Sequence, residues 1–379
     1  MANTLTSLIP SLYAALNVVS RELTGAIPSV TRDPSANRAA VGQAVTVPIA
    51  PASAATDITP GVTPPNDGDQ TIGNEVITIT KSRRVPFRWS GEEELGLNNN
   101  GAGASAIQGN QLQEAIRTLV NEMEIDVVNA ARMGSRAFGT ATTTPFASSL
   151  VEAAEVKKIL DDNGAAGARS MIIDTSAGVK LRTLTQLTRA NEAGSTMTLR
   201  DGELLDIFGM SLKESAGVAS VTKGTGASYT TSTAGFAVGA TSIAIITGTG
   251  TVLEGDIVTF AGDTNKYIVK TGVAAPGTIV LAEPGLRQAI PAAATAMTLV
   301  ATSVRNIAFA QSAVVLATRA PALPANGDSA VDRMTVTDPR SGISFEVAMY
   351  PQYRQMQYEV SAAWGAKCIK RAHAAVLLG

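Results

Sequence analysis

The densest chemistry in the chain is the strip KSRRVPFRWSGEEE at residues 81–94. Lys81, Arg83, Arg84 and Arg88 precede a turn-like Ser-Gly pair, and Glu92, Glu93 and Glu94 follow it. Only 16% of residues are charged, so a cluster of this kind points to a partner. Three partners compete: a nucleic acid on the basic half, the strip's own two halves, or a neighbouring copy of the chain. Phe87 and Trp89 interleave with the arginines as in a base-stacking platform. Pro86 is expected to interrupt the strand and leave Arg84, Phe87 and Trp89 on no common face, and the three glutamates repel phosphate. Nucleic-acid binding is therefore the least supported of the three.

Other reactive residues are sparse. His373 is the single histidine, whereas a Ser-His-Asp or zinc site would need a converging set of ligands around it. The Gly224-Thr225-Gly226 and Gly248-Thr249-Gly250 runs lack the Lys-Ser/Thr of a phosphate loop and read as β-turns. Residues 161–164, DDNG, lack the spacing of a calcium loop and read as a helix C-cap. Asp67-Gly68-Asp69 reads as a solvated acidic turn. No enzymatic activity, metal or cofactor is expected. One cysteine, Cys368, excludes an intrachain disulfide.

With 379 residues the chain suits two or three domains. Aromatics are only 4%, so the buried layers are expected to be thin and packed by small side chains. A net charge of −2 supplies no global attraction to a polyphosphate. No run of about 18 apolar residues occurs, so no membrane span is expected. The N-terminus lacks the positive flank of a secretory signal.

These residues need elements to position them. Leu5, Leu8, Ile9, Leu12, Leu16 and Val19 recur at helical spacing, giving an N-terminal arm that stops near Gly25 and Pro28. The runs AVTVPI and EVITIT alternate as strands do and bracket a proline-rich stretch, predicting a long hairpin with an extended loop. No Lys or Arg lies between Arg38 and Lys81.

Residues 110–138 predict a helix of about 43 Å, opened by an Asn110–Gln113 capping box and carrying Leu112, Ile116, Leu119, Met123, Val127 and Ala130 on one face. A second helix follows with a Ser149–Glu152 capping box and Gly164 just past its end. RSMIIDT reads as a buried strand, SAGVKLRTLTQL as a helix and ELLDIFGMSLKES as strand, turn, strand, making an α+β or α/β unit over residues 148–215. Residues 217–303 turn Gly/Thr/Ala-rich with short β runs, predicting a small barrel or sandwich inserted into a host domain. Helical and mixed patterning resumes at NIAFAQSAVVLATRAPALP. The last stretch predicts a sheet beside the long helix.

This order of parts resembles the major capsid (coat) proteins of tailed bacteriophages, in the group with a β-barrel inserted in the capsid fold. Its most specific piece is residues 306–324, which look like the N-x-A-F…A-x-x-x-A-T-R-P-L-x-x-P segment of such proteins. The resemblance implies an α+β capsid fold with an arm at 1–40, an extended loop at 41–90, and a peripheral domain at 91–145 and 328–379. The axial domain would take 146–215 and 304–327, and the inserted β-barrel domain 216–303. It also implies pentamers and hexamers in an icosahedral shell, assembled in the bacterial host cytoplasm and enclosing double-stranded DNA that meets the inner surface weakly and without sequence preference.

A portal protein is implied as a further partner. Because this chain starts almost at the arm, a separate scaffolding protein is expected too. Some family members lock their shells by a lysine–asparagine bond from the extended loop; the loop tip here has no lysine, so non-covalent stabilisation is expected. On this reading Lys81, Arg83, Arg84, Arg88, Glu92, Glu93 and Glu94 form an intersubunit contact, because shells repeat heterologous contacts that set one sign of charge against the other. A secreted or surface-layer β-rich structural protein and a phage tail component are the competing readings.

Overall fold

A computed structural model describes residues 22–35, 37–49, 55–63, 65, 68–99, 104–188 and 206–379. The expected N-terminal helix, Asp67 of the acidic turn and most of the first strand in ELLDIFGMSLKES lie outside the described residues.

A 3-10 turn at Ile27–Ser29 leads into β1 (Thr31–Pro34). The alternating runs form β2 (Ala44–Ile49) and β3 (Gly73–Thr78), paired antiparallel with Val45 opposite Ile77, as the sequence predicts. β4 (Lys81–Ser90) runs unbroken through Pro86, which stands opposite Glu359. The expected interruption does not occur, because β4 has one paired neighbour among the described strands and an edge strand tolerates a missing N–H.

Helix α1 (Gly91–Asn99) follows directly, and α2 (Ala104–Ala131) is the long spine, 28 residues and about 42 Å. The spine begins six residues before the expected cap, so Asn110 sits inside the helix. It also ends before Phe138. At Gly134 an added Cβ would stand 2.5 Å from the Ala374 carbonyl oxygen, and the next residues form strand β5 (Arg136–Phe138).

The mixed unit comprises α3 (Val151–Asp162), β6 (Arg169–Ile173), α4 (Thr175–Thr183), α5 (Thr185–Thr188) and β7 (Met210–Glu214). The Ser149–Glu152 capping box is absent: Leu150 is the N-cap and makes no side-chain cap bond. The C-terminal expectation holds, with Gly164 at φ +68° directly after the Asn163 cap. Asp174 caps α4 by accepting from Ser176 and Ala177, while its own N–H donates to Asn306 in the sheet.

Strands β8 (Ser220–Val221), β9 (Tyr229–Thr230), β10 (Ser242–Ile245), β11 (Ile257–Phe260), β12 (Lys266–Thr271), β13 (Gly277–Leu281) and β14 (Ala296–Leu299) follow without an intervening helix. The chain returns through β15 (Ser303–Ala310) and β16 (Val314–Arg319), then β17 (Asp332–Thr337), β18 (Ser344–Gln352), β19 (Gln355–Cys368) and β20 (Ala374–Leu378). Residues 306–324 are thus largely strand, not helical. β15 is covered on both faces, Ile307 and Phe309 packing into one core and Ala308 and Ala310 into another. A strand buried on both sides gives a continuous apolar run that periodicity cannot tell from a buried helix.

Two large sheets result. One runs β1-β16-β19-β18-β17, with β4 on the other side of β19; the second runs β7-β6-β15-β20-β5-β12-β11-β14-β9, with β13 and β10 branching from β12. A bridge between Thr231 and Ile245 links the β9 end back to β10.

Three larger cores lie beneath. The spine packs Leu112, Ile116, Leu119, Met123 and Val127 against Phe345, Val360 and Trp364. The mixed unit has its own cluster around Val156, Leu160, Ile173 and Leu212, and residues 229–299 have a third around Tyr229, Phe260, Tyr267 and Leu281. Where the spine meets the β-rich segment, Arg305 is 3% exposed. Burial lowers its pKa to about 10; Asp256 opposes that shift and Arg132 adds to it.

Candidate assembly interface

Alternation along β4 divides the charged strip between two faces. Lys81, Val85, Phe87 and Trp89 turn toward the spine and are half-buried, whereas Ser82, Arg84, Pro86 and Arg88 are exposed. Phe87 stacks on Tyr358 with centroids 5.3 Å apart, and the Trp89 indole N–H donates to Gln111 of the spine at 2.7 Å. Both aromatic rings therefore lie on one face, and that face is the strand's attachment to the spine.

Lys81 Nζ lies 2.9 Å from both Glu122 and Asp126, one turn apart on α2. Burial works against its charge, but the hydrogen bonds to Asp126 and Glu122 prevail and raise its pKa above the ordinary lysine value. Arg83 Nε approaches Glu122 at 3.5 Å, and Arg84 pairs with Glu359 at 2.7 Å, which raises the Arg84 pKa. Both arginine side chains remain 59% exposed, so these pairs contribute modestly to stability.

The acidic half does not fold back onto the basic half. The Ser-Gly pair opens α1 rather than making a turn. Ser90 N–H and Oγ each donate to Glu93 Oε2 at 2.9 Å, and Glu93 N–H returns a bond to Ser90 Oγ at 3.3 Å. This capping box lowers the Glu93 pKa, chiefly through the Ser90 N–H. Glu92, Glu94 and Arg88 stay exposed. Close by, Gly91 N–H donates to the Arg354 carbonyl at the β18–β19 turn, whose Tyr353 is 87% exposed with the Arg354 guanidinium over its ring.

The structure thus separates the seven residues. Lys81, Arg83 and Arg84 have partners within the chain, Glu93 caps a helix, and Arg88, Glu92 and Glu94 present charge to solvent. Sequence reasoning missed the partners Glu122, Asp126 and Glu359. The first two were legible as an i,i+4 acidic pair on the polar side of the spine; Glu359 carried no signal before the strand pairing was known.

The hairpin β2–β3 is fixed at its base and bare at its far end. Lys367 Nζ binds Glu75 at 2.6 Å and the Val76 carbonyl at 2.9 Å, and Gly365 lies against the Thr78 carbonyl. Beyond the strands, Ile58 and Val62 are 97% and 105% exposed, two apolar side chains with no cover from the other described residues.

Among the described residues, no group of three His, Cys, Asp or Glu is arranged to hold a metal ion, and no helix is long and apolar enough to cross a membrane. The Cys368 thiol is buried, and its pKa is pushed up to about 12 by that burial.

No family model matches the chain, and no curated protein matches it. Among solved structures it is similar to the capsid of cyanophage P-SCSP1u, at 11% identity over 95% of this chain and 89% of that one, with a TM-score of 0.53. It is also similar to a structure from Mycobacterium phage Che8, at 12% identity over 95% and 92% with a TM-score of 0.48. A virus-like particle from Pyrococcus furiosus aligns over 98% of both chains at 11% identity and a TM-score of 0.46. The first of these defines the class of fold. The chain is an α+β protein with a long spine helix and the fold of a phage capsid subunit.

Proposed function

We propose that this protein is the major capsid protein of a tailed phage, assembling into an icosahedral virion shell of pentamers and hexamers around double-stranded DNA. The observation that carries this reading is the likeness to the cyanophage capsid structure, which spans 95% of this chain rather than one module of it. The bare apolar residues of the extended hairpin support it, since a projecting loop with exposed Ile58 and Val62 suits burial against a neighbouring copy.

The domain scheme follows the same reading: arm 1–40, extended loop 41–90, peripheral domain 91–145 and 328–379, axial domain 146–215 and 304–327. Residues 216–303 form the inserted barrel. The strand order β10-β13-β12-β11-β14-β9, with the Thr231–Ile245 bridge returning to β10, supports a closed ring. A separate scaffolding protein, a portal and the packaged DNA are its further partners. Of the charged strip, Arg88, Glu92 and Glu94 form the core of the intersubunit contact, flanked by the exposed sides of Arg83 and Arg84. Lys81 and Glu93 hold that surface in position.

Negative-stain electron microscopy of the purified chain, alone and co-expressed with a candidate scaffold, tests the proposal. Closed shells or ring-shaped capsomers are expected. Dispersed monomers in both samples would reject it.

A further inference from the structure

The apolar face of the spine is interrupted by Glu124, which is 2% exposed. Its Oε1 accepts from the Ala26 N–H at 2.7 Å and the Ser215 hydroxyl at 2.6 Å, and its Oε2 accepts from the Ile27 N–H at 2.9 Å. Ala26, Ile27 and Ser215 are each fully buried. A carboxylate withdrawn from water needs such donors, and here they come from two segments nearly 190 residues apart in sequence.

We infer that Glu124 is a latch coupling the N-terminal segment to residues 215–217, where the chain leaves β7 for the β-rich segment. Neither segment can leave the spine without taking a donor from the carboxylate that also holds the other. Direct contacts make the two move as one body. Ala216 N–H donates to the Leu23 carbonyl at 3.1 Å, and Lys213 Nζ donates to Ser29 Oγ, which donates in turn to the Gly25 carbonyl. Gly25 itself lies so near β7 that an added Cβ would stand 2.6 Å from the Glu214 carbonyl oxygen.

One residue further along, Gly217 N–H donates to the same Ser215 Oγ that donates to Glu124. Displacement of the N-terminal segment at Leu23–Ile27 is thereby transmitted to the entry of the β-rich segment. This coupling is a property of the single chain and holds whether or not a shell forms.

Hydrogen exchange of the full chain, resolved to single amides, tests the latch. Ser215→Ala touches neither backbone bond to Glu124 but leaves the buried charge one donor short. Coupling predicts about tenfold faster exchange at Ala26 and Ile27 as well as at Gly217. Unchanged exchange at Ala26 and Ile27 would overturn the inference. Glu124→Gln sets an amide N–H₂ against a backbone donor and should accelerate all three amides by about tenfold or more, while Val120 and Val127 of the spine stay protected. Equal acceleration of those spine amides would mark Glu124 as a general stabiliser and refute the latch.

Discussion

Lys81 and Trp364 meet on one carboxylate. The Lys81 ammonium and the Trp364 indole N–H both donate to Asp126, at 2.9 and 2.8 Å, and the ammonium lies 5.9 Å from the centre of the indole ring. A strand, the strand beside it and the spine helix are thus joined at one point. Replacing Asp126 by Ala should lower unfolding free energy by about 2 to 3 kcal/mol, and by Asn, which keeps an acceptor, by less. Urea denaturation followed by tryptophan fluorescence measures both.

Gly365 is the residue on which the hairpin rests. A Cβ there would stand 2.1 Å from the Thr78 carbonyl oxygen, and that neighbour is backbone that cannot swing aside. Gly365→Ala is expected to cost roughly 2 kcal/mol or more and to make residues 44–78 the first segment cut in limited proteolysis. A digestion pattern like that of the parent chain would argue against this role.

The exposed charges can be tested apart from the paired ones. Arg88→Glu should leave the melting temperature unchanged yet reduce shell yield by about tenfold, with partial recovery when Glu92 and Glu94 are changed to Lys. Reversing Arg83 and Arg84 is less clean, because the new acids would face Glu122 and Glu359 and lower stability as well. Sedimentation of assembly reactions, beside a thermal melt of each variant, separates the two effects.

Acid should release the N-terminal anchor late. Hydrogen bonds from Arg117, aided by Asn121, hold the Glu22 carboxyl near a pKa of about 2, against 4.5 when unpaired. A depressed folded pKa means this contribution is complete above pH 4.5 and is lost as pH falls through about 2. Protection at residues 22–30, measured against intrinsic amide exchange at the same pH, should therefore hold at pH 4 and fall toward pH 2, and Glu22→Gln should remove that dependence.

Residues 217–303, expressed alone, should fold, because Tyr229, Phe260, Tyr267 and Leu281 form a core within that span. Ile257 and Ile268 would lose their packing against the spine core, and Lys266 and Tyr267 their pairing with β5. A dispersed NMR spectrum with fast exchange at 266–268 is the expected result; a collapsed spectrum would count against the boundary.

Much of the scaffold was legible because its signals are local. The 3.6-residue spacing of Leu112, Ile116, Leu119 and Met123 specifies the spine, and alternation in AVTVPI and EVITIT specifies the hairpin. Spine ends were misread because Ala104 to Gly109 carry no strong stop signal and because Gly134 ends the helix through a close approach to Ala374, residues away in sequence but adjacent in space. Residues 306–324 were misread because two-sided burial erases periodicity. In the charged strip, alternation assigned faces correctly once Pro86 was allowed on an edge strand, but the partners Glu122 and Glu359 depend on tertiary placement. Glu124 carries one clue in the sequence, its position between Met123 and Val127 on the buried side of the spine.

Arg305 belongs to the host part of the chain, whereas Asp256, whose charge opposes the effect of Arg305's burial only in part and whose carboxylate accepts from the Gly224 and Leu253 N–H groups, belongs to the β-rich segment. That division of charge should limit which segments can replace residues 217–303. A foreign segment spliced in at 217–303 inherits an electrostatic debt unless it brings an acid to the same place, so productive exchanges should co-vary at positions 256 and 305.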